Sequence, residues 1–185
     1  MRKNFGVKSW FYPLPVLIIG TYDKNGVADA MNAAWGGLYD ADKVVLCLSA
    51  GHKTTANIRE RRAFTVSFAT AQQVVPSDYV GIISANREPR KLEKSGFHTT
   101  KSDFVDAPLI DELPVALECE FVKVNEDGNI IGQIVNVCID ESVLGEDGKL
   151  DLGKFRPICF EPARNAYHAL GEKVGNAFAD GAALQ

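Results

Sequence analysis

A short apolar segment that ends in an Asn-Gly turn restricts the folds open to this chain more than any other feature. Residues 16–22 are apolar and mostly β-branched, the turn Asp23-Lys24-Asn25-Gly26 follows, and residues 27–32 form a return segment. Asn and Gly tolerate the positive φ angles of a two-residue hairpin turn, so this pattern is the strongest short-range hairpin signal. The sequence therefore predicts an antiparallel strand pair near the N-terminus.

Further strand-like segments follow at turn-marked intervals, at residues 44–49, 64–68, 115–124, 130–140 and 158–160. Helical patterns are fewer and shorter, at residues 54–62, 78–84 and 91–94. Many short strands favour a closed barrel, because closure removes exposed sheet edges. We expect a mainly β fold with short helices in one domain over residues 1–185, with a core at about 10–165 and a C-terminal tail at 166–185.

Composition excludes several classes of protein. The chain has 20 basic and 24 acidic residues and a formal net charge of -4, whereas nucleic-acid binders carry a basic excess. Its longest apolar run is far shorter than the roughly 20 residues that span a bilayer, and the charged N-terminus has no apolar segment behind it. We expect a cytoplasmic protein with no nucleic-acid or membrane partner.

Residues typical of metal sites and acid–base catalysis are scattered. Cys47, Cys119, Cys138 and Cys159 form no Cys-x-x-Cys pair, and each lies in an apolar strand-like segment. We interpret all four as free, buried side chains. No Ser-His-Asp pattern is present, so the sequence assigns no metal ligand and no catalytic residue.

The segment from Ser49 to Asn57 predicts an anion site. A strand ends at Ser49, and a helix begins after His52-Lys53, with Thr54 or Thr55 as its cap. The first amides of a helix are unpaired and carry partial positive charge, and Lys53 and the hydroxyls add donors that suit a phosphate monoester. The alternative is an ordinary capped helix with solvated charges.

A second segment, Asn32-Ala33-Ala34-Trp35, lies at the end of a predicted strand. Small residues allow a ligand to approach the backbone, and the Trp35 indole offers a flat apolar wall, which suits a planar ring such as an isoalloxazine. The alternative is that Trp35 packs in the core.

These segments occur in an order that resembles a known family, the flavin reductase-like, flavoredoxin-type FMN-binding split barrels. The resemblance covers nearly the whole chain. It rests on Tyr12-Pro13-x-Pro15-Val16, Asn32-Ala33-Ala34-Trp35, His52-Lys53-Thr54-Thr55-x-Asn57-Ile58, Asp78-Tyr79-Val80-Gly81-Ile82-Ile83-Ser84, Lys91-Leu92-Glu93-Lys94-x-Gly96-Phe97, Ala107-Pro108-Leu109-Ile110, Leu117-Glu118-Cys119, Asp147-Gly148-Lys149-Leu150 and Tyr167-x-Ala169-Leu170-Gly171.

The resemblance implies a six-stranded Greek-key split barrel, a homodimer and non-covalently bound FMN. It places the cofactor against Asn32, Ala33, Ala34, Trp35, Ser49, His52, Lys53, Thr54, Thr55, Asn57, Ser67, Phe68 and Lys91. It implies an FMN-dependent oxidoreductase, with NADH or NADPH as the candidate electron donor.

One departure from the family keeps a second function open. Many reductases of the family carry Gly-Asp-His before an Ile-Gly strand, whereas this chain has Asp127-Gly128-Asn129 before Ile130. Loss of that histidine favours an electron carrier that is reduced by a redox partner protein. A third alternative is a barrel without flavin that serves as an interaction module.

Overall fold

The computed structural model describes residues 1–184. It contains twelve strands: β1 (Leu14–Pro15), β2 (Leu17–Tyr22), β3 (Ala28–Ala33), β4 (Gly36–Asp40), β5 (Lys43–Leu46), β6 (Ala63–Phe68), β7 (Thr99–Lys101), β8 (Pro108–Ile110), β9 (Val115–Val124), β10 (Ile130–Ile139), β11 (Ile158–Glu161) and β12 (Ala166–Ala169). Its helices are α1 (Lys53–Arg61), α2 (Val74–Ile82), α3 (Lys91–Ser95) and α4 (Leu152–Phe155), with 3-10 turns at Glu141–Val143 and Asp180–Leu184.

The largest sheet is antiparallel and has the strand order β3-β2-β6-β9-β10-β5-β4. Strands β3 and β4 lie at its opposite edges, although only Ala34 and Trp35 separate them along the chain. Three Cα–Cα steps, from Ala33 to Gly36, span at most about 11 Å, so the two edges must meet and the sheet must roll up. The predicted mainly β barrel is confirmed.

The strand count follows from the same closure. If β3 and β4 are counted as one bent strand, the sheet has six strands instead of seven, which is the expected number. Strand β6 returns through α1 to pair with β2, so the fourth strand lies beside the first. This arrangement is the Greek key that the resemblance implied.

Strand β2 is buried on both faces, which explains its unbroken apolar sequence. Leu17 and Ile19 point into the barrel with Leu46 and Phe64. Ile18 points outward, into a second core that includes Val80 of α2. The barrel wall is therefore covered by helices on the side where α2 and α3 pack.

Several boundaries differ from the expectations. Strand β5 ends at Leu46, helix α2 begins at Val74, and residues 166–169 of the expected tail form β12, which pairs with β11. The expectation that all four cysteines are buried holds only for Cys119, because Cys47 is exposed and Cys138 and Cys159 are half-buried. In the described part of the chain, the helices are too short or too polar to cross a membrane.

Candidate functional site

The turn that leads into α1 is held by one carbonyl oxygen. The Ser49 oxygen accepts hydrogen bonds from the His52 amide at 3.1 Å and from the Thr55 hydroxyl at 2.8 Å. His52 precedes the helix in extended conformation, and no side chain caps the first amides. The prediction that Thr54 or Thr55 caps α1 was therefore wrong, because the helix begins at Lys53 and both threonines are buried in its first turn.

A cavity of ≈ 140 Å³ opens at this end of α1. His52, Lys53 and Thr54 form one wall, and the end of α2 with the following turn, residues 80–85, forms another. Its other lining residues are Asp29 and Met31 of β3 and Lys91 of α3. Since the first amides of a helix have no acceptor within the helix, this wall offers several hydrogen-bond donors.

Each of the two lysines in the cavity lies against a carboxylate. The Lys53 ammonium is 3.4 Å from Asp23 Oδ2, and the Lys91 ammonium is 3.0 Å from Asp29 Oδ1. Lys91 is 2% exposed and Asp29 is 5% exposed, so theirs is a buried ion pair. The formal charges of these four groups cancel, and the cavity is less cationic than its lysines alone suggest.

Asp23 is held by the hairpin as well as by Lys53. Its Oδ1 accepts hydrogen bonds from the amides of Asn25 at 2.8 Å and Val27 at 3.0 Å. Partial burial would raise the pKa of the Asp23 carboxyl, but these amides and Lys53 outweigh it and lower the pKa below its ordinary value. Asp23 is therefore a charged counter-ion of Lys53 at neutral pH.

Asn32 contacts α2 rather than the cavity. Its side-chain amide donates to the Ser77 carbonyl at 3.0 Å, and a Cβ at Gly81 would lie 2.9 Å from Asn32 Cβ. Nearby, the Tyr167 hydroxyl donates to Asp78 at 2.7 Å, and burial together with that carboxylate raises the pKa of Tyr167 to about 12. Strand β3 and strand β12 thus hold α2 beside the site.

A separate apolar groove of ≈ 490 Å³ lies where the barrel closes. Ala34 and Trp35 line it together with Phe11, Pro15 and Cys47. Trp35 is 58% exposed, so it does not pack in the core, while Ala33 is buried inside the barrel. The groove offers a flat aromatic surface next to the end of β3.

Three further predicted residues do not line the cavity at the start of α1. Asn57 donates to the Thr21 hydroxyl at 3.0 Å in the interior. The Ser67 hydroxyl is fully buried and makes no hydrogen bond within residues 1–184. Phe68 is half-buried and lines a cavity of ≈ 210 Å³ that the exposed Leu38 also lines. Their contribution to cofactor binding stays a prediction.

The structure therefore brings together His52, Lys53, Thr54 and Lys91, and it places Ala34 and Trp35 at the second groove. Asp29 was not predicted from the sequence as a site residue. The signal that could have identified it is that Asp29 is the single carboxylate within the strand-like segment 27–32. Across residues 1–184, His, Cys, Asp and Glu side chains form no group of three that could hold a metal ion.

Residues 9–160 match the model of the flavin reductase like domain. The chain belongs to this family. The resemblance deduced from the sequence is thereby confirmed, and the matched segment includes the whole barrel, α1 and the cavity.

Solved structures of the same fold agree with this assignment. The chain is 35% identical to flavoredoxin of Desulfovibrio vulgaris (Miyazaki F), with a TM-score of 0.94 over 98% of this chain and 100% of that one. It is 28% identical to flavoredoxin from Methanosarcina acetivorans, with a TM-score of 0.87 over 100% of both chains. An FMN-binding domain of a flavin reductases-like enzyme from Shewanella baltica OS155 shares the fold at 20% identity, with a TM-score of 0.77 over 88% of each chain.

Proposed function

We propose that this protein binds FMN non-covalently and works as an oxidoreductase that passes electrons through the flavin. The observation that carries the proposal is the start of α1, where unpaired helix amides, Lys53 and Thr54 face one cavity. Family membership and the flavoredoxin neighbours support flavin as the ligand. The name of the Shewanella baltica neighbour supports FMN in particular.

The residues present fit a phosphorylated flavin. Helix amides and ammonium groups are the donors that a phosphate needs, and charge-assisted bonds to them are stronger than neutral ones. Trp35 and its groove offer apolar contact to a flat ring. Strand β3 contributes Asp29 and Met31 to the cavity and ends immediately before Ala34 and Trp35, so one strand connects the two sites.

The protein's own part in this function is binding and orientation. FMN, when bound, supplies hydride and single-electron transfer, which requires no nucleophile from the protein. Lys53 and Thr54 would hold the phosphate end, and Trp35 would cover part of the ring. We assign no side chain of the chain as an acid, a base or a nucleophile.

A flavoredoxin-like electron carrier is the second candidate. The two flavoredoxin neighbours favour it, and so does the hairpin between β9 and β10, where Asp127-Gly128-Asn129 stands in place of the Gly-Asp-His of many reductases. In this function a redox partner protein, rather than NADH or NADPH, reduces the bound flavin.

Two measurements test these functions. Purified protein is titrated with FMN and riboflavin, and visible absorbance and flavin fluorescence report binding. Failure to bind either flavin contradicts the proposal and favours an interaction module.

NADH or NADPH is then added to the FMN-loaded protein without oxygen. Bleaching of the visible absorbance of oxidised flavin supports a reductase, whereas no bleaching until a redox protein is added supports a carrier.

A cytoplasmic homodimer completes the proposal. Phe11, Trp35, Leu38 and Tyr39 are all more than half exposed, and large apolar surfaces of this kind commonly mark protein interfaces. A second copy of the chain would cover the groove at Trp35 and any flavin ring within it. Analytical ultracentrifugation that finds an FMN-loaded monomer would refute the dimer.

A further inference from the structure

Asp29 has an unusual environment for a carboxylate. It lies on β3, lines the cavity and is only 5% exposed. Its Oδ1 is 3.0 Å from the Lys91 ammonium, but its Oδ2 is buried and has no hydrogen-bond partner within residues 1–184. Buried polar atoms are rarely left unpaired, because an unmade hydrogen bond costs the desolvation of the group.

The missing partner of Oδ2 must be a donor. Asp29 forms an ion pair with Lys91, and the carboxylate of an ion pair can only accept hydrogen bonds. Lys91 already lies at Oδ1 and also donates to the Val80 carbonyl at 3.4 Å. Asp29 lines the same cavity as the start of α1.

A bound flavin carries few groups that suit this position. Its phosphate and ring oxygens are acceptors, and a carboxylate repels the phosphate. The hydroxyls of the chain that links phosphate to ring are neutral donors, and they lie next to the phosphate along the molecule. The imide N–H of the ring is the other donor, and it lies at the far end from the phosphate.

We propose that Asp29 accepts a hydrogen bond from a hydroxyl of the flavin's polyol chain and so selects ligands that carry such a chain. The inference rests on the proposed function, since it takes the cavity to hold the phosphate end of FMN. Lys91 acts as the positioning residue, because its ammonium fixes Oδ1 and leaves Oδ2 for the ligand.

The test compares riboflavin with lumiflavin, which has the same ring and imide but no hydroxyl chain and no phosphate. Isothermal titration measures both affinities for the wild type, Asp29→Asn and Asp23→Asn. In Asp29→Asn the amide oxygen faces Lys91, so an N–H group replaces the Oδ2 acceptor. The affinity for riboflavin relative to lumiflavin is expected to fall about tenfold. The same change at Asp23, which does not line the cavity, should leave that ratio unchanged.

Equal weakening of both flavins by Asp29→Asn would place the carboxylate against the ring imide and overturn the inference. Unchanged binding of both flavins would overturn it as well.

Circular dichroism checks folding, because Lys91 loses its counter-ion in this variant. If the variant unfolds, the neutral pair Asp29→Asn/Lys91→Gln replaces it, and a retained riboflavin preference then overturns the inference. Failure of the wild type to bind FMN, titrated alongside, contradicts the proposed function itself.

Discussion

The Lys53 ammonium lies 3.4 Å from Asp23 Oδ2, which joins the first turn of α1 to the β2–β3 hairpin. Both side chains are partly buried, at 27% and 16% exposure. Lys53 thus has a carboxylate partner, and a phosphate at the start of α1 would compete with that carboxylate for the ammonium group.

Asp23→Asn should therefore strengthen FMN binding. The amide oxygen can still accept from the Asn25 and Val27 amides, so the hairpin turn keeps its hydrogen bonds. Loss of a partly exposed ion pair of this kind should tighten FMN about two- to fivefold, with riboflavin unaffected. Titration of both flavins measures the effect, and weaker FMN binding would show that Asp23 holds Lys53 in its binding position.

Lys53→Met should have the opposite effect. The methionine keeps most of the apolar stem but removes the cation, so the preference for FMN over riboflavin should fall about tenfold. Lys24→Met is the matched control, since Lys24 is an exposed lysine on the adjacent hairpin turn. If both variants keep the wild-type preference, the phosphate site is elsewhere.

The two neighbouring threonines should separate binding from stability. Thr55→Val removes the partly buried hydrogen bond to the Ser49 carbonyl and should lower the free energy of unfolding by about 1 kcal/mol. Thr54→Val removes a hydroxyl at the cavity and should weaken FMN about fivefold relative to riboflavin. Urea denaturation and flavin titration measure both quantities for each variant. If instead Thr55→Val weakens FMN binding and Thr54→Val lowers the free energy of unfolding, Thr55 rather than Thr54 contacts the ligand.

The cysteines should differ sharply in reactivity. Cys47 is exposed at the groove, whereas burial, and secondarily the nearby Glu118 charge, raises the pKa of the Cys119 thiol to about 12. Because the thiolate is the reactive form, iodoacetamide at pH 8, applied to protein diluted to monomers, should label Cys47 first and Cys119 only after unfolding. Peptide mass spectrometry follows the labelling, and Cys47→Ser should remove the fastest phase. Early labelling of Cys119 would contradict its burial.

Much of the barrel was accessible to sequence reasoning because its signals are local. The Asn25-Gly26 turn predicts the β2–β3 hairpin, and the structure pairs Tyr22 with Ala28 on either side of that turn. Strand β4 was not predicted, because Gly36-Gly37 has poor strand propensity and the strand is stabilised by pairing with β5. Strand β12 was assigned to a tail for a similar reason, since its pairing with β11 is a tertiary contact.

The candidate site divides in the same way. A strand, a turn and a helix start at His52-Lys53 can be deduced from a few consecutive residues, because turn and helix preferences depend on neighbours along the chain. The ion-pair partners of the charged side chains cannot be deduced in this way. Lys53 meets Asp23 and Lys91 meets Asp29 only because β2, β3, α1 and α3 converge at one end of the barrel.

The family, the β2–β3 hairpin and the helix start after His52 could be deduced from the sequence. The ion pairs of both lysines, the buried Asp29 with one oxygen unpaired within residues 1–184 and the exposed position of Trp35 became visible only once the chain had packed. Backbone preferences act over a few residues and can be deduced in order along the chain. Burial and ion pairing depend on which distant segments pack together, and that is settled when the sheet closes.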